Sequence, residues 1–175
     1  EPVKELWTSD VIKKPEYLLN PLLYKNLPTI VFGEKAVCKS TLSLMIYAIL
    51  ILPLTNNKLH LKPADRSIKT LYLDWEVEPD IAQYNMKRLQ LGMDLPDFPL
   101  YYRKCRQPLA DDIEQIQGRI SDIKAECLIV DSLAPATGGD LKSPETALRF
   151  TNALRSLNCS ALVIGQTSKD KQMQD

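Results

Sequence analysis

The sequence predicts an α/β fold, a mostly parallel β-sheet flanked by helices on both faces, and three observations predict it. β-branched and aromatic runs alternate with helix-forming segments five times along 175 residues, the order that right-handed β-α-β crossovers produce. One of these runs, "CLIVD" at Cys127 to Asp131, is apolar for four residues without alternation, as a strand buried on both faces is. Ile113, Ile116, Ile120 and Ile123 recur at helical spacing, which makes one apolar stripe for a helix lying on a sheet.

Taken in order, residues 1–28 hold four of the twelve prolines (Pro2, Pro15, Pro21, Pro28) and no sustained period. An extended lead-in on the surface is expected there, followed by one core domain over residues 29–175. "TIVF", Thr29 to Phe32, reads as the first strand and ends at Gly33. After Lys39 comes "LSLMIYAILILPL", thirteen residues from Leu42 to Leu54. A membrane span needs about 20, so this is a buried helix and no membrane is expected as a partner. "TLYLD", Thr70 to Asp74, is the second strand. Its helix opens at Pro79, in the favoured first position, and is expected to close at Gly92. "LYYRK", Leu100 to Lys104, is the third strand, and the isoleucine stripe places the next helix at about residues 111–125. Beyond "CLIVD" a glycine-bearing loop leads to Ser143, which caps a helix with Pro144 at its first position and Ala147, Phe150, Leu154 and Leu157 as its buried stripe. "ALVIG", Ala161 to Gly165, is the last strand.

Composition narrows the function classes only a little. Twenty-two basic residues balance twenty-two acidic ones, so no global charge draws the chain onto nucleic acid, and any such contact falls to local loops. The four cysteines lie far apart, and with one histidine they form no zinc spacing. Reduced thiols in a cytoplasmic protein are the expectation, and "EPVKELWTSD" has no basic-then-apolar order of a secretory signal.

Function should concentrate where strands end, because ligands of such sheets bind at the carboxyl edge. The first strand is followed by Gly33, Glu34, Lys35, Ala36, Val37, Cys38, Lys39, Ser40 and Thr41. This is the spacing of the phosphate loop G-x-x-x-x-G-K-[ST], with Cys38 where the second glycine belongs. Past the second strand stand Asp74 and Glu76; at the fourth, Asp131 and Ser132; at the fifth, Gln166, Thr167 and Lys169. For a nucleoside triphosphate with Mg²⁺, backbone N–H groups of residues 34–40 and the helix N-terminus would cradle the phosphates. Lys39 would face the β- and γ-phosphates, Ser40 and Asp131 the metal. Glu76 would deprotonate the attacking water and Gln166 would sense the γ-phosphate.

Each residue also has a plainer reading. G-x-x-x-x-x-K-S arises by chance, an aspartate ending a strand is often a turn or cap residue, Glu76 and Glu78 suit a helix's first turn, and Gln166 can be a surface amide. Lys169 and Lys171 fit a solvated tail. The common edge of one sheet is what separate plain readings do not anticipate.

With these residues in view, the chain from about Leu22 to Lys171 resembles the RecA-like P-loop ATPases, in the branch of RepA-type plasmid replicative helicases and related AAA-type ATPases. "PTIVFGEKAVCKSTLSLMIYAIL" is similar to the Walker A strand, loop and helix, and "TLYLDWEVE" to the second strand with its catalytic glutamate, here Glu76. "CLIVDSLAPATGGD" resembles Walker B, with Asp131 as its acid, and "ALVIGQTSKD" the sensor strand in which Gln166 precedes Thr-Ser-Lys. The resemblance implies ATP and Mg²⁺ as cofactors and a sensor strand between the Walker A and Walker B strands. It also implies homo-oligomeric rings or filaments with ATP between subunits, and contact with single-stranded DNA near Pro135 to Ser143 and after Thr167. Basic residues there are few, with Lys142, Lys169 and Lys171.

Two departures from the family pattern stand out. Ala36 and Cys38 replace loop glycines that permit positive φ and close approach to phosphate. A Cβ at Cys38 would cost about 1–3 kcal/mol, roughly 5- to 150-fold in affinity if the strain falls on the bound form. Relatives also continue past the sensor into a hairpin and strands with an arginine finger, so either a core truncated at its C-terminus or a remainder outside this sequence is expected. The leading expectation is an Mg²⁺-dependent ATPase domain, a helicase- or recombinase-related motor in DNA replication, recombination or repair. The alternative is a non-catalytic RecA-like scaffold with a decayed loop. A P-loop kinase would need lid arginines that "SKDKQMQD" lacks.

Overall fold

The computed structural model describes residues 14–34 and 37–167. Five parallel strands make the main sheet: β3 (Pro28–Gly33), β5 (Thr70–Asp74), β6 (Tyr102–Lys104), β7 (Cys127–Asp131) and β8 (Ser160–Gln166), in the order β3-β8-β7-β5-β6. The α/β class expected from the alternation is what the chain adopts. The last strand in sequence lies between the strand that feeds the loop and the one that ends in Asp131, with Val163 beside both Ile30 and Val130. The resemblance implied a strand in that position.

The pleat sorts the central strands onto two cores. Tyr72, Ile129, Leu162 and Ile164 point into one cluster with Ile46, Ile49 and Leu50 of helix α1 (Lys39–Ile51) and Met86 of α2 (Pro79–Met93). Leu71, Leu73, Leu128, Val130, Ala161 and Val163 point into the other. There they meet Ile116 of α3 (Ile113–Ile123), Leu133 and Ala136 of α4 (Leu133–Thr137), and Phe150 and Leu154 of α5 (Pro144–Ser156). Strands that supply both clusters are apolar without alternation because neither face meets water. Helix α1 is apolar on nearly every side for the same reason, being buried from Ser43 through Ile51 except at the half-buried Met45.

Four expectations change in detail. Residues 1–13 of the expected lead-in lie outside the described residues, but residues 14–28 are not merely laid on the surface. They form β1 (Tyr17–Asn20) and β2 (Leu23–Tyr24), which join β4 (Lys62–Pro63) in a small antiparallel sheet. Leu18, Leu19 and Leu23 are buried against the α1 core, and strands of two to four residues are too short to carry a period. Gly92 does not end α2; the helix runs one residue further and stops at Asp94, whose φ of 51° is left-handed. Ala147 is exposed although Phe150, Leu154 and Leu157 are buried, since the first turn of α5 stands clear of the sheet. The expected loop after β7 contains the single-turn helix α4, closed by Gly138 at φ 71°. Ser143 caps α5 as expected, accepting from the Thr146 N–H at 3.3 Å.

Candidate functional site

Strand β3 delivers the loop at its carboxyl end. A Cβ on Gly33 would lie 3.1 Å from Val37 Cγ2 and 3.2 Å from Lys39 Cδ, so the loop closes over a position that leaves little room for a side chain. Lys35 and Ala36 lie outside the described residues. Cys38 is exposed and holds φ 55°, ψ 31°, the left-handed conformation that a glycine would take without strain. Its carbonyl accepts the Leu42 N–H at 3.0 Å, and α1 starts at once with Lys39 and Ser40. The Lys39 ammonium donates to the Gly33 carbonyl at 3.0 Å and to the Glu34 carbonyl, so the lysine lies across its own loop. The Gly33 carbonyl also accepts the Thr167 N–H, at 3.1 Å.

A cavity of about 360 Å³ opens at this edge, and Val37, Cys38, Lys39, Ser40 and Thr41 line one side of it. Glu76, Asp131, Ser132 and Gln166 line the other. Four elements thus bring Lys39, Ser40, Asp131, Glu76 and Gln166 together, while Lys169 lies outside the described residues. Asp131 ends β7 with 3% of its surface exposed. It accepts the Tyr72 phenol on Oδ2 at 2.7 Å. Burial raises its carboxyl above the ordinary range, and the Tyr72 and Ser40 hydroxyls pull it partly back. Glu76 Oε1 accepts the Ser132 hydroxyl at 2.6 Å, which holds the glutamate toward the end of β7.

Asp74 takes its plainer reading. Its Oδ1 accepts the N–H groups of Glu76 at 2.7 Å and Val77 at 3.0 Å, an Asx turn that shapes the bend carrying Glu76. Burial raises the Asp74 carboxyl, and those two N–H groups oppose the rise.

Sequence reasoning passed over Tyr72 and Ser43. The Ser43 hydroxyl lies 2.6 Å from the Tyr72 hydroxyl and donates to the Ser40 carbonyl at 2.8 Å. The available signal was a single serine inside an apolar run, three residues after Ser40, and a tyrosine in a strand with no wet face. A second groove, of about 410 Å³, lies between α1 and α2 and shares Ser40 and Thr41 with the first. Leu44 and Leu89 give it apolar walls, and Asn85 and Arg88 give it donors. The Arg88 guanidinium lies 5.7 Å from the centre of the Tyr84 ring. On a helix with an ordinary polar face these residues carry no spacing signal.

Among the described residues no group of three or more His, Cys, Asp or Glu could hold a metal. Magnesium bound with a triphosphate needs only one or two hard oxygens from the protein. Ser40 and Asp131 on one cavity are such a pair. No helix of the described residues is long and apolar enough to cross a membrane.

No curated protein matches the chain. The sequence model of the AAA domain family, however, matches residues 1–172. The chain therefore belongs to the AAA domain family, as a nucleotide-binding, ATPase-like P-loop domain.

Proposed function

We propose that the cavity binds ATP with Mg²⁺ and hydrolyses it, and that the chain is a RecA-like motor domain serving DNA replication, recombination or repair. The observation that carries the reading is the convergence of Lys39, Ser40, Asp131, Glu76 and Gln166 on one cavity from four elements. Lys39 would leave its own loop carbonyls for the β- and γ-phosphates, a stronger charge-assisted contact. Ser40 and Asp131 would hold the metal, which would supply positive charge to offset that of the phosphates. Glu76, fixed by Ser132, is aimed to orient and deprotonate a water. The Gln166 amide, at the end of the strand beside the loop, is placed to register the γ-phosphate. The groove between α1 and α2 continues from Thr41 and offers apolar walls for the base.

The DNA-linked role, and assembly into a ring or filament with nucleotide between subunits, draw on the resemblance of the motifs. A second reading, a non-catalytic scaffold, draws on the left-handed Cys38 and on a Lys39 satisfied by its own loop. Calorimetric titration of MgATP into the parent chain and into Lys39→Ala separates the two. Binding by the parent, lost at least about tenfold in the variant, supports the ATP site. Equal behaviour of the two proteins sinks it. Turnover measured with and without single-stranded DNA tests the motor role, and stimulation is the expected result.

A further inference from the structure

We infer that Tyr72 is a positioning residue for Asp131 and Ser40, holding the two metal-facing groups in one fixed relation. The inference rests on the reading of the cavity as an Mg²⁺-nucleotide site. Tyr72 lies in the middle of β5 with 2% of its surface exposed, and no step of the proposed chemistry uses it. Its hydroxyl is the meeting point of two elements. Upward it donates to Asp131 Oδ2 at 2.7 Å, at the end of β7. Sideways it lies 2.6 Å from the Ser43 hydroxyl, which bonds the Ser40 carbonyl in the first turn of α1.

The direction of these bonds follows from the proton count. An ionised carboxylate only accepts, so the single phenolic proton goes to Asp131, and the one Ser43 proton is shared between the Ser40 carbonyl at 2.8 Å and the Tyr72 oxygen at 2.6 Å. Oδ2 thereby gives one of its acceptor sites to the phenol, and Oδ1 gives none to it. The same phenol anchors the backbone that carries the Ser40 hydroxyl. Two ligands contributed by different elements must keep their separation to share one small octahedral ion, and a single buried hydroxyl ties both. The ring has little freedom to drift, because Tyr47 and Tyr102 flank it at centroid distances of 6.4 Å and 6.1 Å.

A purely structural tyrosine would fill the same space without its hydroxyl, so Tyr72→Phe keeps the packing and removes only the tie. Nucleotide binding by the full chain is titrated against Mg²⁺, and again in EDTA. In Tyr72→Phe the Mg²⁺ concentration for half-maximal binding should rise about tenfold, as loss of an outer-shell partner does. Affinity for ATP in EDTA should stay within about twofold, since the phosphate contacts are untouched. Ser43→Ala should shift the Mg²⁺ dependence in the same direction and by less. Parent-like Mg²⁺ dependence in both variants overturns the positioning role. If the parent binds nucleotide with no Mg²⁺ dependence at all, the positioning role also falls, while Lys39→Ala still judges the phosphate site by itself. If the parent and Lys39→Ala bind nucleotide alike, the site reading fails and the inference with it.

Discussion

Cys38 carries strain in the fold itself. The chain holds it at φ 55°, so the cost of a left-handed non-glycine residue, about 1–2 kcal/mol, falls on folding. Cys38→Gly should therefore change MgATP affinity by less than about threefold, and calorimetry decides it. Its effect on melting should be small, because relief of strain is offset by the roughly 0.5–1 kcal/mol of extra chain entropy that glycine brings. A tenfold tightening would show that the bound loop takes a different shape. Asp131 makes a prediction of opposite character. Burial raises its carboxyl above the ordinary range, so between the unfolded and folded values the folded chain holds more protons than the unfolded one. Stability from this group is then full below the unfolded value and lost as pH rises through the raised one. Asp131→Asn should melt above the parent at neutral pH in the absence of nucleotide, with the gap closing below about pH 4. A parent that melts higher at neutral pH would contradict the sign.

At the scale of elements, two glycines test how the helices end. Gly138 closes α4 at φ 71°, and a Cβ there would lie 2.1 Å from Pro108 Cγ. Gly138→Ala should cost about 2–4 kcal/mol from left-handed strain and overlap together, lowering Tm by about 4–16 °C. Gly92, inside α2 with nothing within 4 Å of its Cβ position, should gain up to about 1 kcal/mol on substitution by alanine. Thermal melting of the pair checks both signs. From sequence the two were easily misjudged: Gly92 was the expected stop, but the C-terminal turn of α2 is closed by Asp94, and Gly138 belonged to a helix too short for any period to reveal.

For the whole molecule, the class of fold and the edge where the candidate cavity lies were legible, and the reason is physical. Strands such as Cys127–Asp131 are buried on both faces, so their apolar runs survive in any reading of the sequence. Loop residues that follow them sit at one edge by topology alone, which brings Lys39, Ser40, Glu76, Asp131 and Gln166 together on paper as in space. What was not legible depends on partners distant in the chain. Tyr72 meets Asp131 across 59 positions and Ser43 across 29, and Leu18 and Leu19 are buried by a helix that starts at Lys39. No local pattern encodes those meetings.

The strand order has a consequence at a single atom. The Gly33 carbonyl accepts two donors, the Lys39 ammonium and the Thr167 N–H. The first belongs to the loop that would grip phosphate, the second to the point where the chain leaves the sheet. An anion that draws the lysine away leaves this oxygen to Thr167 alone and strengthens that bond. Occupancy of the cavity by an anion would thereby be coupled, through one oxygen, to how tightly the chain is fastened just past Gln166.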